Sequence, residues 1–128
     1  MNTTALAFLG DAVYEVYIRK HVMKKGIVDA DALHREAVRY VRAEAQATAI
    51  REIMKSDDIL SENELKLVKR ARNKKSCSKS RSAGPVDYKL ATAFEALLGG
   101  LYVNDEKERA EEIILIAIDI LEKGWSHE

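Results

Sequence analysis

The chain has 128 residues, 47% of them hydrophobic and 33% charged, with 21 basic residues balanced by 21 acidic ones. That length suits one domain, residues 1–128, around one core, and the apolar content offsets the entropy of ordering, which excludes intrinsic disorder. No apolar run nears the roughly 20 residues that span a bilayer, and the N-terminus lacks the basic, apolar, small-residue order of a signal peptide, so a cytoplasmic protein without a membrane partner is expected.

A single proline and the lack of sustained apolar/polar alternation predict an all-α fold. The first helix is expected from about Thr4 to Lys24, where Leu6, Leu9, Val13, Val16 or Tyr17 and Met23 recur near the helical period and Gly26 follows the end. Asp29 or Asp31 can cap the next helical segment, Leu33 to Met54, with a bend near Arg42. Ser61 and Glu64 form a capping-box pattern that opens a basic helix from Glu62 to about Asn73. The serines, glycine and proline of Lys74–Pro85 predict a basic loop. A helix over Val86–Val103 follows, and the last runs from about Asn104 to a stop at Gly124, with acids in its first turns.

The balanced charge conceals an asymmetry. From Leu65 to Val86 there is no acid, while Lys66, Lys69, Arg70, Arg72, Lys74, Lys75, Lys79 and Arg81 supply eight of the 21 cations. Such a run is either a solvated face or a surface for phosphates. The lone Cys77 has no intrachain disulfide partner and reads as a loop thiol; His21, His34 and His127 are too scattered to ligate a metal together and read as surface residues.

Two acids stand in apolar surroundings. Asp11 lies in "ALAFLGDAVYEVY" and Glu95 in "ATAFEALLGGLY". A carboxylate withdrawn from water costs several kcal/mol unless a cation, backbone donors, a raised pKa or a metal compensates it. Gly10, and Gly99 with Gly100, suit a close approach of two helices, which would bring the acids together. Converging carboxylates repel unless a cation lies between them, and such oxygen donors suit Mg²⁺, which can activate water against a phosphodiester. The other reading gives each acid its own arginine or a place at the rim of the core.

"LAFLGDAVYE", Leu6–Glu15, resembles the signature helix of the ribonuclease III family, and "DYKLATAFEALLGGLYVND", Asp87–Asp105, resembles its second catalytic helix. The likeness covers nearly the whole chain and is nearest to the short bacterial branch, which has the catalytic domain without a double-stranded-RNA-binding domain. It implies a helical bundle of the ribonuclease III endonuclease type. It also implies a homodimeric, Mg²⁺-dependent endonuclease, with Mn²⁺ as a substitute, that cuts double-stranded RNA to leave 5′-phosphate and 3′-hydroxyl ends. The branch is associated with maturing the ends of the large-subunit ribosomal RNA precursor, and a ribosomal-protein helper is a further partner class.

Carried over residue by residue, the resemblance implies Asp11 and Glu95 as catalytic metal ligands. The family's other acids fall on Thr4, Ala7 and Thr92, a departure that resembles the short branch and leaves an inactive, ribosome-associated or RNA-binding relative as the alternative, ranked below the nuclease. Lys69, Arg70, Arg72, Asn73, Lys74, Lys75, Lys79 and Arg81 become candidate RNA contacts, and four to six of them on phosphates predict a slope of roughly −3 to −5 in log affinity against log salt. Phe8, Leu9, Tyr14 and Tyr17 are candidates for the contact with a twofold mate; Phe8 and Tyr17 suit an ordinary core equally well.

Overall fold

A computed structural model describes residues 2–74 and 84–126. Its six helices are α1 (Thr3–Met23), α2 (Ala30–Val41), α3 (Ala43–Lys55), α4 (Glu62–Asn73), α5 (Pro85–Val103) and α6 (Lys107–Ser126), and the described residues contain no strand. The fold is all-α. None of the helices is long and apolar enough to cross a membrane.

Helix α5 is the axle. Leu90, Ala91, Ala93, Phe94 and the run Ala96–Leu101 are buried on all sides of it, because α1, α3, α4 and α6 pack around it. A helix that is apolar all round loses nothing by such enclosure. α1 lies along it with Leu6, Val13, Tyr14, Ile18 and Val22 turned inward. Its other side remains apolar and uncovered: Phe8 is 84% exposed, and Val16 and Met23 are also exposed.

The ends follow from local chemistry. The Asn2 side chain accepts a hydrogen bond from the Ala5 amide at 2.8 Å, so α1 begins a residue before the expected start. The expected bend near Arg42 is a full break: Arg42 is extended (φ −61°, ψ 150°) and serves as both the end of α2 and the cap of α3. Ser61 and Glu64 make both hydrogen bonds of the capping box. Pro85 opens α5, where a missing N–H costs nothing. Gly124 does not stop α6, which continues to Ser126; a glycine ends a helix only where the chain turns to positive φ, as Gly26 does at φ 82°.

Two polar clusters tie the helices together. Arg109, at the start of α6, donates to both carboxylate oxygens of Glu64 at 2.9 Å and to the Ile59 carbonyl at 2.5 Å, and it also pairs with Glu112. At the opposite end, the Tyr40 hydroxyl donates to Glu122 at 2.6 Å and receives a hydrogen bond from Lys25 at 2.7 Å. His21 Nε2 lies 2.7 Å from the same carboxylate. His21 is therefore a half-buried member of this network and not a plain surface residue, since it sits where α1 meets α6. His34 is exposed, while Cys77 and His127 lie outside the described residues.

Candidate active site

The site is built where α1 crosses α5. A Cβ built on Gly10 would fall 1.7 Å from the Glu95 carbonyl oxygen, and one on Gly99 would fall 1.8 Å from the Leu6 carbonyl oxygen. No side chain fits between the two backbones. The reciprocal glycines let the helices touch main chain to main chain, and this brings residue 11 beside residue 95.

The two acids differ in surroundings. Asp11 is exposed, contrary to the expectation from its apolar neighbours in sequence, because a helix position between buried Gly10 and Val13 can still face outward. Glu95 is half-buried, and the negative charge of Asp11 acts on its carboxyl. Burial, and next the negative charge of Asp11, push the Glu95 carboxyl up to about 8, against the opposing pull of a hydrogen bond from Gln46. Neither acid is in a salt bridge among the described residues; Arg51 pairs with Asp87 and Arg42 with Glu44.

This donor set fits a hard divalent cation. Two carboxylates side by side cannot both ionise cheaply without positive charge, and their oxygens suit Mg²⁺ or Mn²⁺. Two protein ligands leave most of the coordination shell to waters and phosphate oxygens, and no group of three or more potential ligands exists among the described residues. The positions of the family's other acids add nothing anionic. Thr4 is exposed and its hydroxyl accepts from Lys74 at 2.5 Å; Ala7 is buried; the Thr92 hydroxyl donates to the Tyr88 carbonyl at 2.9 Å.

Of the candidate RNA contacts, Lys69, Arg70, Asn73 and Lys74 are exposed on or just after α4, and Arg72 is half-buried with its Nε 3.3 Å from Asn73 Oδ1. Arg70 joins Asn63, Lys66 and Asn104 around a groove of about 420 Å³ beside Leu6 and Gly100. Arg72 and Asn73 face Arg51 and Lys89 across another, of about 480 Å³. Lys75, Lys79 and Arg81 lie outside the described residues.

Of the four residues expected at a dimer contact, Phe8 is exposed, while Leu9 and Tyr17 are partly buried against the core. Tyr14 must be withdrawn. It is fully buried, edge-on to Phe94 at 5.2 Å, with its hydroxyl donating to the Tyr40 carbonyl at 3.0 Å, because it lies on the face of α1 turned to α5.

Gln46, which donates to Glu95, is not anticipated from the sequence, and neither are Arg51 and Lys89, which line the groove of Arg72 and Asn73. Gln46 had a signal. It shares the register of Ala49, Ile50 and Ile53, the buried face of α3, and a glutamine at such a position requires partners.

An all-α bundle that sets two carboxyl groups at a glycine crossing has the donor set of a cation-dependent catalytic domain. Residues 4–106 match the Ribonuclease III domain. The chain is 47% identical over 121 residues to Mini-ribonuclease 3 of Brevibacillus brevis, covering 94% of this chain and 88% of that protein. It is 41% identical to Mini-ribonuclease 3 of Clostridium tetani over all of this chain and 83% of that one. A crystal structure of a Fusobacterium nucleatum protein superposes with a TM-score of 0.80 at 34% identity, covering 92% of each chain. The chain belongs to the ribonuclease III family, in its Mini-ribonuclease 3 group, and is an endoribonuclease.

Proposed function

We propose that this endoribonuclease cuts double-stranded segments of structured RNA in the cytoplasm as a homodimer of single-domain chains, with a divalent cation held by Asp11 and Glu95. The large-subunit ribosomal RNA precursor is the proposed substrate, with a ribosomal-protein helper as an optional partner. The observation that carries the reading is the pairing of the two carboxyl groups at the crossing of α1 and α5. Mg²⁺ or Mn²⁺, when bound, supplies an acidified water and positive charge at the scissile phosphate. The residues themselves do the positioning: exposed Asp11 meets the phosphate side, and half-buried Glu95 anchors the pair to α5. Breaking the bond from phosphorus to the 3′ oxygen yields the 5′-phosphate and 3′-hydroxyl ends.

Lys69, Arg70, Arg72, Asn73 and Lys74, with Lys75, Lys79 and Arg81, hold the strand through its phosphates, which is how A-form RNA is gripped. The uncovered stripe of Phe8, Val16 and Met23, with Leu9 and Tyr17 at its margin, supports a twofold contact, since a large apolar stripe on one helix is costly to leave in water. The test is cleavage of a labelled duplex RNA in Mg²⁺ by the wild type, Asp11→Asn and Glu95→Gln, with EDTA as the metal-free arm. Both variants and the EDTA arm should lose cleavage while the variants keep RNA retention in a filter assay. Wild-type cleavage by either variant refutes the site.

A further inference from the structure

Gln46 and Thr3 are the buried polar residues among those described, and Gln46 is 3% exposed. Its Nε2 donates to the Val41 carbonyl at 2.8 Å and to Glu95 Oε2 at 3.3 Å. The Val41 carbonyl can only accept, so the amide has one acceptable orientation; turned over, its oxygen would face that carbonyl. Its Oε1 then points into the interior, with no hydrogen-bond partner among the described residues. A methionine would fill the same space without burying an unpaired acceptor. The amide therefore does something that packing alone does not require.

Val41 is the last residue of α2, and the chain breaks at Arg42 before α3 begins. Gln46 thus ties together the end of α2, the start of α3 and the middle of α5, and one of its tethers ends on Glu95. We infer that Gln46 is a positioning residue: anchored on the Val41 carbonyl, it holds Oε2 of Glu95 and leaves the other carboxylate oxygen for the cation shared with Asp11. This rests on the reading of Asp11 and Glu95 as the cation-holding pair. In a site with two protein ligands the orientation of each counts heavily, because little else constrains the ion.

The experiment compares the full chain with Gln46→Met, which keeps length and volume and loses both hydrogen bonds. Mn²⁺ binding without RNA is read from the free-ion signal in electron paramagnetic resonance, the Mg²⁺ dependence from duplex cleavage, and stability from urea unfolding. The metal concentration for half-saturation should rise roughly 10- to 100-fold in both metal assays, with RNA retention in EDTA unchanged and cleavage recovering at high metal. Should Gln46→Met not fold, Gln46→Ser, which lets water reach the Val41 carbonyl, is expected to give the same shift. Wild-type metal dependence in a folded variant, whatever its stability, overturns the inference and leaves Gln46 a structural tether. Wild-type Mn²⁺ binding by Asp11→Asn and Glu95→Gln would instead overturn the carboxylate pair itself.

Discussion

Gly10→Ala is the most direct perturbation of the site, since it adds one methyl group and no charge. The new carbon falls 1.7 Å from the Glu95 carbonyl oxygen, 2.6 Å from the carbonyl carbon and 2.9 Å from the Gly99 nitrogen. All three atoms are main chain, so no rotamer change relieves the contact. To regain even 3.0 Å from that oxygen, α1 and α5 must part by roughly 1.3 Å at their crossing. Alanine gains about 1 kcal/mol over glycine in helix propensity, but forced repacking of a dense interface costs about 1–3 kcal/mol; since main-chain atoms cannot yield, the upper end applies and a net loss approaching about 2 kcal/mol is expected in urea unfolding. Catalysis should suffer more. Mg²⁺ takes its oxygens near 2.0–2.1 Å, and a misplacement of about 1 Å costs on the order of 10²-fold, so single-turnover duplex cleavage should fall at least that far where the variant is fully folded. Gly124→Ala is the matched control: its added carbon meets nothing within 4 Å, and it should stabilise the chain by up to about 1 kcal/mol. Gly10→Ala with wild-type stability and rate would refute the claim that these glycines set the distance between the acids.

Glu95, raised to about 8 in the folded chain, holds its proton more tightly than the unfolded chain does, so its contribution to stability is complete below about pH 4.5 and is lost as pH rises through 8. In EDTA the unfolding free energy of the wild type should therefore fall relative to Glu95→Gln by about 3 kcal/mol between about pH 5 and 8, and a constant difference would contradict the assigned environment. Arg109→Leu should cost about 2–3 kcal/mol in urea, because it strands Glu64, whose side chain is 11% exposed. The hydrogen bonds from Arg109 hold the Glu64 carboxyl below its usual range, a contribution present above about pH 4.5 and lost as pH falls through the depressed value, so the variant should also flatten the acid limb of stability; an unchanged limb contradicts this. Replacing Lys69, Arg70 and Lys74 together with glutamine should reduce the slope of log affinity against log salt by roughly 2–3, and an unaltered slope removes α4 from the RNA surface.

The close crossing of α1 and α5 is legible because its signal is local: an acid among apolar residues, with Gly10 just before Asp11 and Gly99 one turn after Glu95. The capping box of α4 and the positive-φ Gly26 were legible for the same reason, since each depends on a few consecutive residues. The break at Arg42 was only half visible, as the residues on either side are good helix formers and the extended turn appears once α2 and α3 pack on different neighbours. Gln46 was lost in an alanine-rich stretch because its meaning lies 49 residues away, on Glu95.

By itself the sequence determined the helical composition, the glycines that permit the crossing and the charge asymmetry of α4, all of which are properties of short windows. Which face of α1 turns inward was decided only by the tertiary structure. Tyr14 went to the core and Phe8 to the surface although both are aromatic, because the Gly10 contact with α5 fixes the rotation of α1 about its axis. The same rotation put Asp11 in solvent and left Glu95 half covered, where burial pushes its carboxyl up to about 8.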